Sequence, residues 1–382
     1  MIEPFREQPR LRAGALEAGQ RAEVEVFELD GSQPLGLEPP ALALGERGEP
    51  QELPAQMPAQ AGASLYAATV GDAIVAAVPG HLRAYLLTGH GELVVDAVDD
   101  SPNVWRRAEE DWETLAAMNP EPAAKQGAVA LLGGQRGGYW HWWVDILPRV
   151  WLLELHQIFP RVEGKFDAVR LAIPAPSADF QRESLELLGL TGRLELLEPG
   201  LTRFESVTFT RGLTGGGSRY PSRKLGEYSR WLRERLAPEA PGQPDGDRRL
   251  FVSRGSAASR RVVNEAEIEP LLAARGFELV DPAGMSIAEQ VALFSRASVV
   301  AGPHGAGLTN LLFSAPGTRV VEIFAAPAAQ GISNYRVLAS HLGMPYARLL
   351  AAAVPTESRY GAHHYDMEVD PRLLERFLSA IA

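Results

Sequence analysis

The stretch that decides the fold runs from Ser298 to Phe324 and reads SVVAGPHGAGLTNLLFSAPGTRVVEIF. The apolar runs at 298–301 and 319–324 are typical of two buried strands. Between them, a Gly-rich turn leads into the apolar segment 304–313, which predicts a turn followed by a helix. A strand, a helix and a second strand in this order predict parallel pairing, because parallel neighbours are joined by a crossover.

The same alternation extends on both sides of this stretch. Strands are predicted at 249–253, 277–280 and 346–350. Capping-box patterns at Asn264 and Ser286 predict helix starts, while Gly276 and Gly343 predict helix ends. Five strands that alternate with helices predict a doubly wound, parallel α/β sheet. We expect the closing helix, 371–381, to pack on the first domain.

The residues before 240 form a second domain in this prediction. Residues 121–240 are read as another α/β layer, with an aromatic-rich helical segment at 139–159. Pro148 should kink this helix or start a new one. Residues 1–120 are read as β-rich and rich in loops. The Pro- and Gly-rich run 238–247 is the best linker in the chain, so the predicted domains are 1–240 and 241–382.

Composition excludes several classes of function. The 382 residues include no cysteine, which removes disulfides, zinc–thiolate sites and a cysteine nucleophile. The net charge of −11 disfavours nucleic acid as a partner. No signal peptide and no transmembrane segment is recognised. We expect a cytoplasmic protein, with peripheral attachment at the inner membrane as a variant of that location.

The turn at 302–307 is the first candidate site. Gly305 and Gly307 allow a ligand to approach the backbone, and the N-terminus of the following helix favours a phosphate. His304 can donate a hydrogen bond to an anion or a sugar hydroxyl. The alternative is a tight turn that binds nothing. The turn lacks the G-x-G-x-x-G dinucleotide fingerprint, and we find no P-loop in the chain.

Arginines follow the first strand of the same sheet. Arg254, Arg260 and Arg261 lie on one strand-to-helix loop and could bind a diphosphate without a metal, although a solvated basic loop is the alternative. Asn264 is either a ligand or only a helix cap. Glu322, near the end of a later strand, is either a ligand for ribose hydroxyls or a structural carboxylate.

The first domain carries a candidate general base. His141 and Asp145 are four residues apart and should share one face of the aromatic helix, where a carboxylate can orient an imidazole. A structural pair is the alternative. Asp245 and Asp247 spell the D-x-D of metal-dependent sugar transferases, but they lie in the predicted linker before a strand. We therefore predict no metal site.

Two blocks of this sequence resemble glycosyltransferase family 61. The first is H-x-x-x-D-x-L-P-R at 141–149. The second, between Phe251 and Phe313, combines SR, RR-x-x-NE, GFELV, AEQ-x-x-LF and GPHGAGLTNLLF in this order. The resemblance covers roughly residues 125–350 and leaves the first 120 residues outside it.

The resemblance implies a GT-B-like enzyme, with two doubly wound Rossmann-like lobes that face a cleft and a β-rich N-terminal portion. It implies an inverting glycosyltransferase of the bacterial capsular or exopolysaccharide type, with a UDP-sugar donor, a saccharide acceptor and no cofactor. His141 and Asp145 would be catalytic and would lie in the cleft. The residues assigned to the donor are Arg254, Arg260, Arg261, Asn264, His304, Gly305, Ala306, Gly307, Leu308, Thr309, Asn310 and Glu322.

Two other classes of protein compete with this interpretation. A nucleotide-sugar or NAD-linked oxidoreductase could use the same α/β scaffold, although the missing fingerprint argues against it. A non-catalytic sugar-binding relative would keep the aromatic segment and lose the base, which His141 and Asp145 argue against.

Overall fold

The computed structural model of this chain describes residues 10–11, 24–30, 42–50, 65–97, 102–118, 121–133, 137–156, 169–176, 178–213, 224–239, 248–326, 334–357 and 361–380. They divide into two compact units. The described residues within 1–33 and 60–222 form the first unit, and those within 34–59 and 223–382 form the second.

The strands of both units, in chain order, are β1 Arg10–Leu11, β2 Val24–Asp30, β3 Leu42–Leu44, β4 Leu65–Ala77, β5 Ala84–Thr88, β6 Leu93–Val94, β7 Ala123–Ala124, β8 Ala128–Leu131, β9 Arg170–Pro174, β10 Leu194–Leu197, β11 Gly200–Thr210, β12 Arg249–Val252, β13 Phe277–Val280, β14 Val299–Pro303, β15 Arg319–Ala325, β16 Tyr346–Val354 and β17 Asp366–Glu368.

The α-helices are α1 Pro102–Met118, α2 Tyr139–His141, α3 Leu147–His156, α4 Asp179–Leu187, α5 Leu225–Leu236, α6 Glu265–Ala274, α7 Ile287–Phe294, α8 Asn334–His341 and α9 Pro371–Ala380. A π-helical turn spans Trp142–Ile146, and 3₁₀ helices span Val95–Ala97, Thr191–Arg193, Pro282–Gly284, Ala306–Phe313 and Gly361–His364.

The first unit is built on a mixed sheet with the order β1-β6-β5-β4-β11-β8-β9-β10. Strands β11, β8, β9 and β10 are parallel, whereas β4 pairs antiparallel with β2, β5 and β11. Strands β8, β9 and β10 lie in the predicted α/β layer 121–240, and strands β1 to β6 lie in the portion 1–120 that was predicted to be β-rich. Strands β4, β5 and β6 pair antiparallel because short hairpins connect them.

Strand β4 shows how this sheet is covered. Ala73, Val75 and Ala77 belong to one hydrophobic cluster, while Ile74 and Ala76 belong to another. This alternation follows from the two-residue period of a strand. The second cluster includes Ala108, Trp112 and Leu115 of helix α1, which the sequence analysis did not predict.

The second unit contains the predicted parallel sheet. Its core order is β13-β12-β14-β15-β16, and these strands are parallel to their neighbours. Strand β17 adds an antiparallel edge, and the distant β3 pairs parallel with β16. Helices α6 and α9 share a hydrophobic cluster with these strands, through residues that include Ile268 and Phe377. The prediction that the closing helix packs on the first domain is thus wrong.

Helix α5 also belongs to the second unit. The Ser229 hydroxyl donates to the Leu312 carbonyl at 2.7 Å, so α5 is tied to the 3₁₀ helix Ala306–Phe313. The second unit accordingly starts before the predicted boundary within 238–247. Residues 240–247 of that linker, including Asp245 and Asp247, lie outside the described residues.

The predicted starts and ends of helices are confirmed in part. Ser286 and Glu289 form the predicted capping box, and Gly276 and Gly343 adopt positive φ at the ends of α6 and α8. Asn264 precedes α6 as predicted, but its side chain makes no capping hydrogen bond. None of the described helices has both the length and the apolar character that a membrane crossing requires.

Candidate functional site

The turn after β14 in the second unit has an open helix N-terminus. The first hydrogen bond of the 3₁₀ helix Ala306–Phe313 runs from the Leu308 N–H to the Gly305 carbonyl at 3.0 Å. The Ala306 and Gly307 N–H groups precede that bond and have no acceptor among the described residues. Unpaired N–H groups of this kind favour an anionic ligand.

The glycines of this turn allow close packing on the loop and strand beside it. A Cβ atom on Gly302 would lie 2.7 Å from the Val252 carbonyl oxygen, so the β14 backbone needs a glycine there. A Cβ atom on Gly305 would lie 2.0 Å from Nη1 of Arg254. The Arg254 guanidinium therefore lies directly against the turn, at the end of the helix that favours an anion.

Arg254 and Arg260 form the positive part of the site. Arg254 donates from Nε and Nη2 to the Ser259 carbonyl, at 3.3 and 3.2 Å. Burial, together with the charge of Arg260, lowers the pKa of Arg254 to about 10. Burial lowers the pKa of Arg260 as well, and the Nε atom of Arg260 is buried without a hydrogen bond.

Neither guanidinium forms an ion pair with a carboxylate in the described part of the chain. Arg260 also adopts φ of +60°, a left-handed conformation that strains a residue with a side chain. Two neighbouring cations without a carboxylate, one of them on a strained backbone, indicate a site that an anion completes.

Two other predicted donor ligands are engaged within the fold. Arg261 binds Asp366 through its backbone N–H at 2.8 Å and through Nη2 at 2.7 Å, and Asp366 is buried. The Asn264 amide donates to the Val369 carbonyl at 2.8 Å, and its oxygen accepts from the Val369 N–H at 3.0 Å. These contacts attach the loop before α6 to the C-terminal segment and do not support a role in donor binding.

The predicted ribose ligand Glu322 is fully buried. Its Oε1 lies 2.6 Å from Nδ1 of His304, and its Oε2 accepts from the Tyr346 hydroxyl at 2.6 Å. Both oxygens are therefore engaged away from solvent. This geometry conflicts with direct binding of ribose hydroxyls and makes Glu322 a partner of His304.

The predicted donor segment 304–310 is accessible only at its start. Leu308, Thr309 and Asn310 are fully buried. The Thr309 and Tyr335 hydroxyls lie 3.3 Å apart, and Asn310 donates to Gln290 at 2.7 Å. Those three residues hold the helix in place, and of the segment only His304, Ala306 and Gly307 retain appreciable exposure.

The first unit carries the predicted histidine–carboxylate pair. Nδ1 of His141 lies 2.8 Å from Oδ2 of Asp145, and each side chain is 19% exposed. The pair thus shares one helical face, as the spacing predicts. Nε2 of His141 makes no hydrogen bond within the described residues, so this nitrogen can take a proton from a substrate.

A π-helical turn begins directly after His141 and includes Asp145. The Leu147 N–H donates to the Trp142 carbonyl, five residues earlier, at the point where Pro148 follows. Proline has no N–H and clashes with the carbonyl four residues before it, so an α-helical ladder cannot run through 148 unchanged. The helix responds with one wide turn, a feature that often marks functional sites.

Asp145 has support that the sequence analysis missed. Arg149 donates from Nε to the Asp145 carbonyl at 3.1 Å and from Nη1 to the Gly133 carbonyl at 2.7 Å. A Cβ atom on Gly212 would lie 3.0 Å from the Asp145 carbonyl oxygen and 3.1 Å from Oδ1. The glycine after β11 was a possible signal, but only the fold brings it to Asp145.

The described residues contain no group of three His, Asp or Glu side chains that could hold a metal ion. The D-x-D aspartates lie outside the described residues. The described site itself offers cationic side chains and backbone N–H groups to an anion.

Comparisons with known proteins agree with the resemblance. Residues 139–321 match the family model described as Glycosyltransferase 61. Protein O-linked-mannose beta-1,4-N-acetylglucosaminyltransferase 2 of Canis lupus familiaris is 32% identical over 127 residues, which are 32% of this chain and 21% of that protein. The Mus musculus protein of the same name is 32% identical over 126 residues, with the same coverage. A beta-1,2-xylosyltransferase of Oryza sativa subsp. japonica is 40% identical over 74 residues, which are 18% of this chain and 14% of that protein.

The chain spans about a fifth of the length of the curated relatives first matched. The family match includes His141, Asp145, Arg254, Arg260 and His304, so it contains the candidate groups of both units. Over part of its length the chain is thus similar to a glycosyltransferase family and to relatives that are named as glycosyltransferases.

Proposed function

We propose that this chain is an inverting glycosyltransferase that moves a sugar from a UDP-sugar to a hydroxyl group of a saccharide acceptor. The observation that carries the donor part is the pair Arg254 and Arg260, which lack a carboxylate partner in the described chain and lie beside an open helix N-terminus. A diphosphate supplies the negative charge that this arrangement needs.

The proposal also covers the acceptor and the class of fold. The names of the relatives refer to O-linked mannose and to xylosyl transfer, which supports a saccharide acceptor. Polysaccharide biosynthesis is the setting that we propose. Two α/β units, one with a parallel sheet that presents a phosphate-type turn, support the GT-B class.

The reaction is a single displacement at the anomeric carbon. The acceptor oxygen forms the new bond while the bond from the anomeric carbon to the diphosphate oxygen breaks. Nε2 of His141 takes the hydroxyl proton, and Asp145 holds Nδ1–H and stabilises the resulting imidazolium. Arg254, Arg260 and the N–H groups of the turn stabilise the charge on the departing UDP.

Removal of Arg254 tests the donor site. A lost charge-assisted contact costs about 1.5–3 kcal/mol. The affinity of Arg254→Ala for UDP-xylose or UDP-N-acetylglucosamine should therefore fall roughly tenfold to a hundredfold in calorimetry. Arg275→Ala is the matched control, because Arg275 pairs with Glu375 at 3.4 Å in the same unit, away from the turn. Equal affinities of both variants would contradict the proposed site.

The same charges make a divalent cation unnecessary in this proposal, because guanidinium groups can stabilise a leaving diphosphate. Turnover should then persist in EDTA at the rate measured without it. Loss of turnover that manganese or magnesium restores would show that a metal takes part in the reaction.

A further inference from the structure

Glu322 has a position that donor binding alone does not explain. It lies on β15 beneath the turn and is fully buried. One oxygen faces Nδ1 of His304 and the other accepts from Tyr346, each at 2.6 Å. A carboxylate in this place cannot touch a ligand, so its effect on a ligand must pass through His304.

The His304 ring is held in one orientation. Phe324 stacks on it with ring centroids 4.7 Å apart and planes 18° apart, and Tyr335 contacts it edge-on at 5.4 Å. Arg348 packs on the Phe324 ring at 4.6 Å. The His304 side chain is 12% exposed. Because Nδ1 faces a fully buried carboxylate, the exposed edge is the one that carries Nε2.

The number of protons on the pair formed by His304 and Glu322 decides whether Nε2 of His304 can donate a hydrogen bond. With one proton, Nδ1–H donates to the carboxylate and Nε2 presents a lone pair, which repels a phosphate oxygen. With a second proton on Nε2, the imidazolium and the carboxylate form a neutral pair, and Nε2–H can donate to an anion. Only the doubly protonated pair can bind a phosphate oxygen at this edge.

The surroundings oppose the second proton while the site is empty. The titratable and charged side chains around His304 are Glu322 on β15, Tyr346 and Arg348 on β16, Tyr335 on α8, and Arg254 and Arg260 on the loop after β12. Burial lowers the pKa of His304; Glu322 raises it, and the two loop arginines lower it further. An anion beside the arginines cancels their repulsion and leaves the attraction of Glu322.

We propose that Glu322 is a positioning residue that prepares His304 for protonation at Nε2, so that an anion is bound beside Arg254 and Arg260 with uptake of one proton by the His304–Glu322 pair. The inference rests on the proposed function where it identifies that anion as the diphosphate of a nucleotide sugar. The proton comes from solvent and returns to it when the anion leaves.

Calorimetry in buffers of different ionisation enthalpy measures this uptake. The probes are UDP-xylose and UDP-N-acetylglucosamine near pH 7, because their diphosphate has no group that titrates there. The wild-type chain should take up a proton fraction that approaches one per bound sugar nucleotide. Glu322→Gln keeps the shape of the side chain and removes its charge, so uptake should vanish and affinity should fall about tenfold. His304→Gln should lose uptake as well.

Tyr346→Phe is the matched control. It removes the second hydrogen bond of Glu322 and should lower the melting temperature, because a buried acceptor loses its donor. It leaves the contact between His304 and Glu322 intact, so proton uptake should stay at the wild-type level. A merely structural role for Glu322 predicts instead that uptake is the same in Glu322→Gln and in the wild-type chain, which would overturn the proposal.

The remaining outcomes separate this inference from the proposed function. Binding of a sugar nucleotide without proton uptake would overturn the inference and leave the proposed function standing. If neither sugar nucleotide binds, the proposed function fails. A titration of the His304 ring by NMR, with and without sulfate, then shows whether an anion promotes protonation of the His304–Glu322 pair. A rise in the pKa of His304 in sulfate, absent in Glu322→Gln, would uphold it; no rise would overturn it.

Discussion

His141 has one ring nitrogen that contacts Asp145 and one that makes no hydrogen bond within the described residues. Nδ1 is 2.8 Å from Asp145, which lies on a π-helical turn that begins directly after His141 and that Pro148 explains. The arrangement is compatible with the proposed role of His141 as a general base that Asp145 orients.

Substitution of this pair should separate chemistry from folding. His141→Ala and Asp145→Asn should each lower sugar transfer by about 10²–10⁴-fold, because the base or its orientation is lost. Donor affinity should stay at the wild-type level in calorimetry, and the melting temperature should change little since both side chains are partly exposed. His90→Ala, an exposed histidine of the same unit, is the control and should keep wild-type turnover.

Two results would contradict this role. Transfer at the wild-type rate in both variants would place the base elsewhere. Unfolding of both variants would show that the pair is structural.

At the scale of elements, the local sequence pattern predicted strands and helices, but it did not predict contacts between segments that are far apart in the chain. Strand β13 lies at its predicted bounds, because Gly276 and Asp281 flank a short, largely apolar run. The partners of Arg261 and Asn264 lie 105 residues further along the chain, at Asp366 and Val369, and no local signal reveals them.

The burial of Glu322 could not be predicted from the sequence either. Its position near the end of β15 was predicted, but the side of the strand that faces His304 and Tyr346 is set by tertiary packing. The turn into a helix and the arginines on the loop after β12 were predictable, because they follow from residue types placed just after parallel strands. Which of the three arginines has a carboxylate partner was not predictable, because Asp366 lies far along the chain.

The close approach of the segment after β11 to the π-helical turn gives a prediction at this scale. Gly212→Ala should place a methyl group 3.0 Å from the Asp145 carbonyl and 3.1 Å from its Oδ1, and so displace the carboxylate. A misplacement of about 1 Å can cost on the order of 10²-fold in rate. Sugar transfer should fall by that factor while donor affinity is kept.

The chain offers a matched control for this substitution. Gly192 belongs to the same unit, and a Cβ atom there would meet no atom within 4 Å. Gly192→Ala should therefore leave sugar transfer unchanged. Wild-type transfer by Gly212→Ala would show that Asp145 does not depend on this approach.

For the whole molecule, the two compact units do not follow chain order. The described residues within 34–59 belong to the second unit, where β3 pairs with β16 in register from Ala347↔Leu42 to Leu349↔Leu44. A boundary drawn from linker composition cannot detect this exchange, because three residues of β3 carry no local sign of their partner. The second unit therefore depends on a segment that is separated in the chain from its other residues by residues 60–222 of the first unit.

This dependence predicts how a fragment should behave. A fragment of residues 223–382 lacks β3, whose Leu42 and Leu44 pack as partly buried side chains against the cluster of β15, β16 and α9. Two half-buried leucines together contribute about 1.5–3 kcal/mol, the amount for one fully buried leucine. Urea unfolding should therefore give a lower free energy of unfolding for the fragment alone than for the fragment with a peptide of residues 34–59, which should restore the lost stability.

The same peptide with Leu42→Asp and Leu44→Asp should not restore it, since charged side chains cannot enter that cluster. A fragment whose stability is the same with either peptide and without one would show that the β3 pairing contributes nothing to the second unit.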